Sequence, residues 1–273
     1  MRTEWIRGQG CGGRNLVRVL RSLRGLWKLA GLMGYGALEL LVTRPTTRQQ
    51  RAEWLHQLCA RGVVKMGVGV RVEGRFPEHG ALISNHMGYL DIVVMAALHR
   101  CVFVSKAEMR AIPLLGWMTT MAGTVYVERG RGGSAARARS GLEASAEAGV
   151  PVVFFPEGTT SNGTSVMQFH SGILAQVLEA GEPVTAAYVR YRLTEENGPG
   201  VSIEDDLAYW GDEVKLFPHV FRLIGLRGIV VEIKIAEEPI AFSERASQRK
   251  LAAEEARAAV LELSGVSEAA APV

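Results

Sequence analysis

From about Val63 onward, short β-branched runs alternate with stretches of helical periodicity, the pattern of an α/β domain. Predicted strands start at Val70 (VRVEG), Ala81 (ALIS), Cys101 (CVFVS), Thr124 (TVYV), Pro151 (PVVFF), Val184 (VTAAYVRY) and Ile229 (IVVEIKI). Several are too continuously apolar to be half exposed, which points to a mixed, largely parallel sheet flanked by helices. Helices are expected from about Tyr89 to Leu98, from Ser134 as N-cap to Gly149 as C-cap, from about Gly172 to Ala180, and after Ser243 in an Ala/Glu/Arg-rich stretch, with a frayed tail beyond Ser264.

The pattern before Val63 is different. LWKLAGLMGYGALELLV, from Leu26 to Val42, is apolar but interrupted by Lys28 and Glu39, so it falls short of the roughly 18 uncharged residues that mark a simple spanning helix. On a helix, Arg21, Arg24, Lys28, Tyr35 and Glu39 lie within about 40° of one line, with Val19, Leu26 and Ala30 opposite. Such a narrow polar stripe predicts a helix lying in the lipid interface, or a short tilted insertion with snorkelling ends. The alternative is an amphipathic helix packed on the protein's own core. After Pro45 a second helix is expected, capped by Thr46, with Trp54, Leu55, Leu58 and Cys59 on one face and Gly62 at its end. The chain therefore divides into a basic, amphipathic two-helix membrane-docking module (1–62), an α/β domain (63–240), and a C-terminal helix with its tail (241–273).

Composition narrows the class. With 273 residues, 48% hydrophobic and 22% charged, and a mean hydropathy of +0.10, the chain is neither disordered, collagenous nor a coiled coil. Its three cysteines, Cys11, Cys59 and Cys101, form no C-x-x-C pair, which supports neither a disulfide framework nor a zinc site and suits a reducing, cytosolic face. The net charge of +3 conceals an asymmetry. Met1 to Ala30 carries seven Arg/Lys against one Glu, whereas Glu195 to Val273 carries fifteen Asp/Glu against eight Arg/Lys. The N-terminal arginines interleave with Leu, Val and Trp and no base-stacking or groove-reading motif accompanies them, so the expected partner is an anionic membrane surface, not nucleic acid.

Three segments could carry chemistry. In ALISNHMGYLDIVV, Asn85 and His86 follow a predicted strand and Asp91 lies five residues beyond the histidine. Five steps of a regular helix leave the two side chains about 140° apart. They meet only if His86 sits in the turn before the helix and Asp91 in its first turns, where a carboxylate can fix the imidazole tautomer and leave the other nitrogen free to accept a proton. In PVVFFPEGTTSNG, an apolar strand delivers Glu157 and Gly158 to the carboxyl end of the sheet, where open α/β sheets bind ligands. SKAEMRAIPLLGWMTTMAGTVYVERG supplies Lys106 and, just past a strand, Arg129, whose guanidinium could clamp a phosphate or carboxylate. Each segment alone is common: a structural histidine, a solvated glutamate and a surface arginine are the bland readings. No G-x-S-x-G elbow and no nucleotide-binding glycine loop occurs.

Together and in this order, the segments resemble the glycerolipid acyltransferase family typified by bacterial 1-acylglycerol-3-phosphate acyltransferase. Asn85, His86 and Asp91 match its N-H-x-x-x-x-D block; Lys106, Glu108, Pro113, Gly116, Gly123, Tyr126, Val127 and Arg129 its second; Phe155 to Thr159 its FPEGT block. The resemblance implies that His86 is the general base, oriented by Asp91, and that Asn85, Lys106, Arg129, Glu157, Gly158, Thr159 and Thr160 contact substrate, with Arg129 on an anionic head group. It implies an acyl thioester donor, acyl-coenzyme A or acyl carrier protein, with no cofactor or metal, and a peripheral or monotopic enzyme on the cytoplasmic face of the membrane. The implied acceptor is a lysophospholipid, foremost 1-acyl-sn-glycerol-3-phosphate giving phosphatidic acid. Three positions depart from the family pattern: Thr160 stands where an arginine is usual, His170 where a lysine is usual, and Ala186 and Ala187 follow Pro183 and Val184 where a second proline is usual. The FPEGTTS form, with VYVERG and the later WGD and LFPH segments, is similar to the branch that acylates lyso-ornithine lipid, the enzymatic alternative. A non-catalytic lipid-binding protein on the same fold is the alternative of another class.

Overall fold

A computed structural model describes residues 10–112, 115–127, 134–211, 214–243 and 248–265. A long helix α1 (Gly10–Thr43) and α2 (Arg48–Met66) precede a seven-stranded sheet. The strands are β1 (Gly69–Glu73), β2 (Ala81–Ser84), β3 (Val102–Lys106), β4 (Val125–Val127), β5 (Val152–Phe154), β6 (Val184–Leu193) and β7 (Ile229–Ile235). Helices α3 (Tyr89–Leu98), α4 (Leu115–Met121), α5 (Ser134–Glu147), α6 (Ser171–Glu179), α7 (Leu216–Leu223) and α8 (Arg249–Ser264) connect or follow them.

The sheet order is β1-β7-β6-β2-β5-β3-β4, and every neighbouring pair is parallel except β6 with β7. It is thus the mixed, largely parallel sheet the apolar runs predict. Period-two alternation sorts β6 between two cores. Ala187, Val189 and Tyr191 join the core beneath α3 and α7, whereas Val184 and Ala186 join the core beneath α6 and α8. Strand β6 also outruns its neighbour: β2 ends opposite Ala187, so residues 188–193 stand beyond the carboxyl end of β2 and wall one side of the space above it.

The N-terminal elements differ from expectation in three ways. Thr47, not Thr46, caps α2, because its hydroxyl accepts from the Gln50 amide while the Gln50 side chain reaches back to the Thr47 amide. Gly62 does not end α2. It is buried inside the helix, where a Cβ would stand 3.1 Å from Leu32, and the terminator is Gly67 in the left-handed conformation at φ 71°. The boundary expected at residue 62 therefore falls within a continuous helix. Finally, the apolar residues of α2 are spent within the protein: Trp54 and Leu58 pack with Leu32 and Leu40 of α1, while Leu55, Cys59 and Val63 pack on the core that holds α3.

Helix α1 combines both readings of its pattern. Ser22, Gly25, Leu32, Gly36 and Leu40 face inward. A Cβ at Gly25 would lie 2.9 Å from the Ile224 carbonyl, and one at Gly36 would lie 2.8 Å from Leu58, so glycine lets α7 and α2 approach closely here. The polar stripe runs along α2: Lys28 Nζ donates to the Lys65 carbonyl (3.0 Å), Arg61 pairs with Glu39 (3.2 Å) and lies over the Tyr35 ring. The opposite side, with Leu16, Leu20, Leu23, Trp27, Leu38, Leu41 and Val42, is exposed, Trp27 to 80%. No helix among the described residues is long and apolar enough to cross a membrane. Near the C-terminus, Ser243 does not cap α8, because its amide and hydroxyl are spent on the Glu255 carboxylate, and the helix opens at Arg249.

Candidate active site

Strand β2 is fully buried and runs into the turn 85–88 that opens α3. The turn is pinned from both sides. Asn85 exchanges two hydrogen bonds with the Val189 backbone, donating from Nδ2 (3.0 Å) and accepting at Oδ1 (2.7 Å). The Tyr209 amide donates to the Met87 carbonyl (2.8 Å), and the Ser161 amide to the His86 carbonyl (2.8 Å). Asn85, expected to touch substrate, is thus buried in the scaffold with its amide bound to β6.

Asp91 stands in the first turn of α3 and is completely buried. One of its oxygens, Oδ2, accepts from His86 Nδ1 (2.9 Å), the Met87 amide (2.7 Å) and the Gly88 amide (3.0 Å). Tyr191 on β6 donates its hydroxyl to the other, Oδ1. A carboxylate bound in this way can only accept from His86, which places the imidazole proton on Nδ1 and the lone pair on Nε2. The ring stacks on Phe155 at 3.8 Å between centroids and 8° between planes. Its side chain is 15% exposed, and Nε2 has no hydrogen-bond partner among the described residues. An oriented, accessible lone pair is what a general base requires.

Glu157 follows β5, the strand beside β2. Only 2% of its surface is exposed, and among the described residues no donor meets either carboxylate oxygen in full hydrogen-bonding geometry, although the His86 and Met167 backbone amides lie near it. Burial pushes its pKa up to about 8; the backbone amides of His86 and Met167 oppose this, the charge of Asp91 adds to it, and that of Arg257 subtracts. Arg257 reaches from α8 to the loop beyond Glu157, donating to the carbonyls of Val166 (2.8 Å) and Met167 (3.0 Å). Because the folded protein holds the Glu157 proton to higher pH than the unfolded chain, folding stability falls as pH rises from about 4.5 to about 8 and levels off above. Glu157→Gln removes this loss and is expected to be more stable than the parent at pH 9, by on the order of a few kcal/mol, with little difference at pH 4. Urea unfolding at the two pH values measures it, and an equal effect at both would contradict the raised pKa.

Lys106 is exposed at the carboxyl end of β3, on the sheet edge that carries His86 and Glu157. Gly158 takes the left-handed conformation at φ 65°, Thr159 is exposed and Thr160 half-buried. His170 precedes α6, and its amide donates to the Pro156 carbonyl (2.8 Å). Arg129 lies outside the described residues. No group of three or more His, Cys, Asp or Glu side chains among them could hold a metal ion.

Sequence reasoning passed over Tyr191, Arg257 and the surroundings of His219, and it named Phe155 without foreseeing its stacking on His86. Fully buried His219 donates from Nε2 to the Ala208 carbonyl (2.8 Å) and accepts at Nδ1 from the Tyr89 hydroxyl (2.9 Å), and burial depresses its pKa. With Tyr89 and Tyr209 it forms an aromatic cluster behind the turn 85–88.

A family model described as acyltransferase matches residues 69–190. The chain is similar to a lyso-ornithine lipid O-acyltransferase from Pseudomonas aeruginosa, 35% identical over 204 residues that cover 71% of this chain and 77% of that one. A second, from Rhodobacter capsulatus, is 29% identical over 88% of this chain and 87% of its own. A 1-acyl-sn-glycerol-3-phosphate acyltransferase from Neisseria meningitidis is 33% identical over 48% of this chain and 53% of its own. The crystal structure of a 1-acyl-sn-glycerophosphate (LPA) acyltransferase, PlsC, from Thermotoga maritima superposes with a TM-score of 0.64, covering 93% of this chain and 99% of that one at 20% identity, which shows the shared fold.

Proposed function

Since the chain belongs to the glycerolipid acyltransferase family and is an O-acyltransferase of lysolipids, we propose that its acceptor is lyso-ornithine lipid and its donor an acyl thioester, of coenzyme A or acyl carrier protein. The observation that carries the choice of acceptor is the extent of similarity. Relatives named for lyso-ornithine lipid match 71 to 88% of the chain at 29 to 35% identity, whereas those named for 1-acyl-sn-glycerol-3-phosphate match 46 to 62% at 26 to 33%. The site agrees, because Thr160 and His170 stand where the family pattern has a basic residue for phosphate. A non-catalytic lipid-binding role has no support, since His86, Asp91 and Glu157 are all in place.

His86 Nε2 removes the proton of the acceptor hydroxyl, and the oxygen attacks the thioester carbonyl. Collapse of the tetrahedral intermediate breaks the carbon–sulfur bond, and the departing thiolate recovers the proton from the imidazolium, so an ester and a free thiol are formed and His86 is regenerated. Asp91 stabilises the imidazolium while it exists. Glu157, whose pKa burial pushes up to about 8, can donate a hydrogen bond as well as accept one. The bilayer is met through the uncovered ridge of α1, on the cytoplasmic side where both thioester donors occur.

The test is one labelled acyl thioester offered to the purified enzyme on vesicles with lyso-ornithine lipid, 1-acyl-sn-glycerol-3-phosphate or another lysophospholipid. The expected result is a kcat/KM for lyso-ornithine lipid at least ~10-fold above the others. Preference for the phosphate acceptor would overturn the assignment and return the enzyme to phosphatidic acid formation.

A further inference from the structure

We propose that Tyr191 is a positioning residue of the transfer reaction, holding Asp91 in place and setting how tightly it grips His86. The inference rests on His86 acting as the base. Among the described residues no Lys or Arg pairs with Asp91; its charge is held entirely by hydrogen bonds, three on Oδ2 and the one from Tyr191 on Oδ1. The two backbone amides and the imidazole belong to the catalytic turn itself. Tyr191 alone reaches the carboxylate from outside, from the part of β6 that outruns β2, two residues past the Val189 backbone to which Asn85 is bound.

A phenylalanine would fill the same volume. Tyr191 is among the largest fully buried side chains, and a buried hydroxyl lowers stability unless it is paired. Among the described residues its partner is Asp91, so the hydroxyl belongs to this contact. Burial, and next the charge of Asp91, push the phenol pKa well above its usual value, so Tyr191 stays a donor at any pH at which the enzyme works. Donation to Oδ1 draws negative charge away from Oδ2 and weakens its attraction for the imidazolium that forms during transfer. The other titratable groups facing this centre are Tyr89 on α3, whose hydroxyl is given to His219 of α7, and Glu157 after β5. None of them donates to Asp91.

The test is the pH profile of kcat/KM for acyl transfer in three proteins: the parent, Tyr191→Phe, and a protein with 3-fluorotyrosine at position 191, whose more acidic phenol is a stronger donor of the same shape. Loss of the hydroxyl is expected to move the acid limb up by about half a unit to one unit and to lower kcat more than it changes KM. The fluorinated side chain is expected to move the limb in the opposite direction. A purely structural role would lower activity without moving the limb, and an unmoved limb overturns the proposal. If Tyr191→Phe does not fold, the fluorotyrosine protein decides alone. His86→Ala, run alongside, separates the two readings: if it keeps full activity the base assignment fails, whereas if it is inactive and the Tyr191 limbs stay fixed, only this proposal fails.

Discussion

His86→Ala is expected to lower kcat/KM for acyl transfer by about 10² to 10⁴, the range for removing a general base, while folding and vesicle binding are retained. Retention of the fold follows from what surrounds the ring. Without it, Asp91 still accepts from the Met87 and Gly88 amides and from Tyr191, so no buried charge is left unpartnered. The stacking partner Phe155 and the half-open rim lose contact, at a cost of about 1–3 kcal/mol. Asp91→Ala is the harsher change for the fold: it strands two backbone amides and the Tyr191 hydroxyl in a buried pocket. His86 is therefore the cleaner probe. The assay is release of thiol from the acyl thioester with a lysolipid acceptor, read beside a thermal melt. Activity within about tenfold of the parent, with the melt unchanged, would remove His86 from the mechanism.

The sheet was legible because continuous apolar runs have one stable outcome, burial between helical layers, and all seven predicted strands form within a residue or two of their expected starts. The turn geometry of His86 and Asp91 was legible for a stricter reason: their spacing on a regular helix excludes contact, so contact required the histidine to lie in the turn before it. The errors came where one residue type serves two structural ends. Gly62 reads as a terminator, but its missing Cβ is used to admit Leu32; Thr46 reads as the cap, but the hydroxyl that accepts from the Gln50 amide is that of Thr47. Asn85 reads as a polar group beside a catalytic histidine, yet its amide matches the backbone of a strand about a hundred residues later. Tyr191 shows the deeper limit. Alternation along VTAAYVRY announces a buried position, but nothing in the spacing says that its hydroxyl meets Asp91, because that depends on how far β6 outruns β2.

Replacing Leu23, Trp27 and Leu38 together by aspartate is expected to weaken binding to anionic vesicles by on the order of 10² while leaving the fold intact. These side chains lie on the exposed ridge of α1, 45, 80 and 60% exposed, and none belongs to a buried core cluster. Removing residues 1–42 is the poorer experiment, since it also strips Leu32 and Leu40 from the buried cluster with Trp54, Leu58 and Met118, and any loss of binding would be confounded with exposure of that core. Burying a large apolar side chain contributes about 1.5–3 kcal/mol. Partial immersion of three in the lipid interface supplies about 3 kcal/mol, which sets the factor above. Arg24, exposed on α1 beside the ridge, adds an attraction to anionic lipid that salt screens, so the residual binding of the triple variant should vanish in high salt, whereas the parent keeps its apolar component. Acyl transfer to a vesicle-borne acceptor should fall with binding, and transfer to a dispersed short-chain acceptor should not, because the catalytic turn is untouched. Unchanged sedimentation with vesicles would place the anchor elsewhere, with the exposed Phe217 of α7 the next side chain to replace.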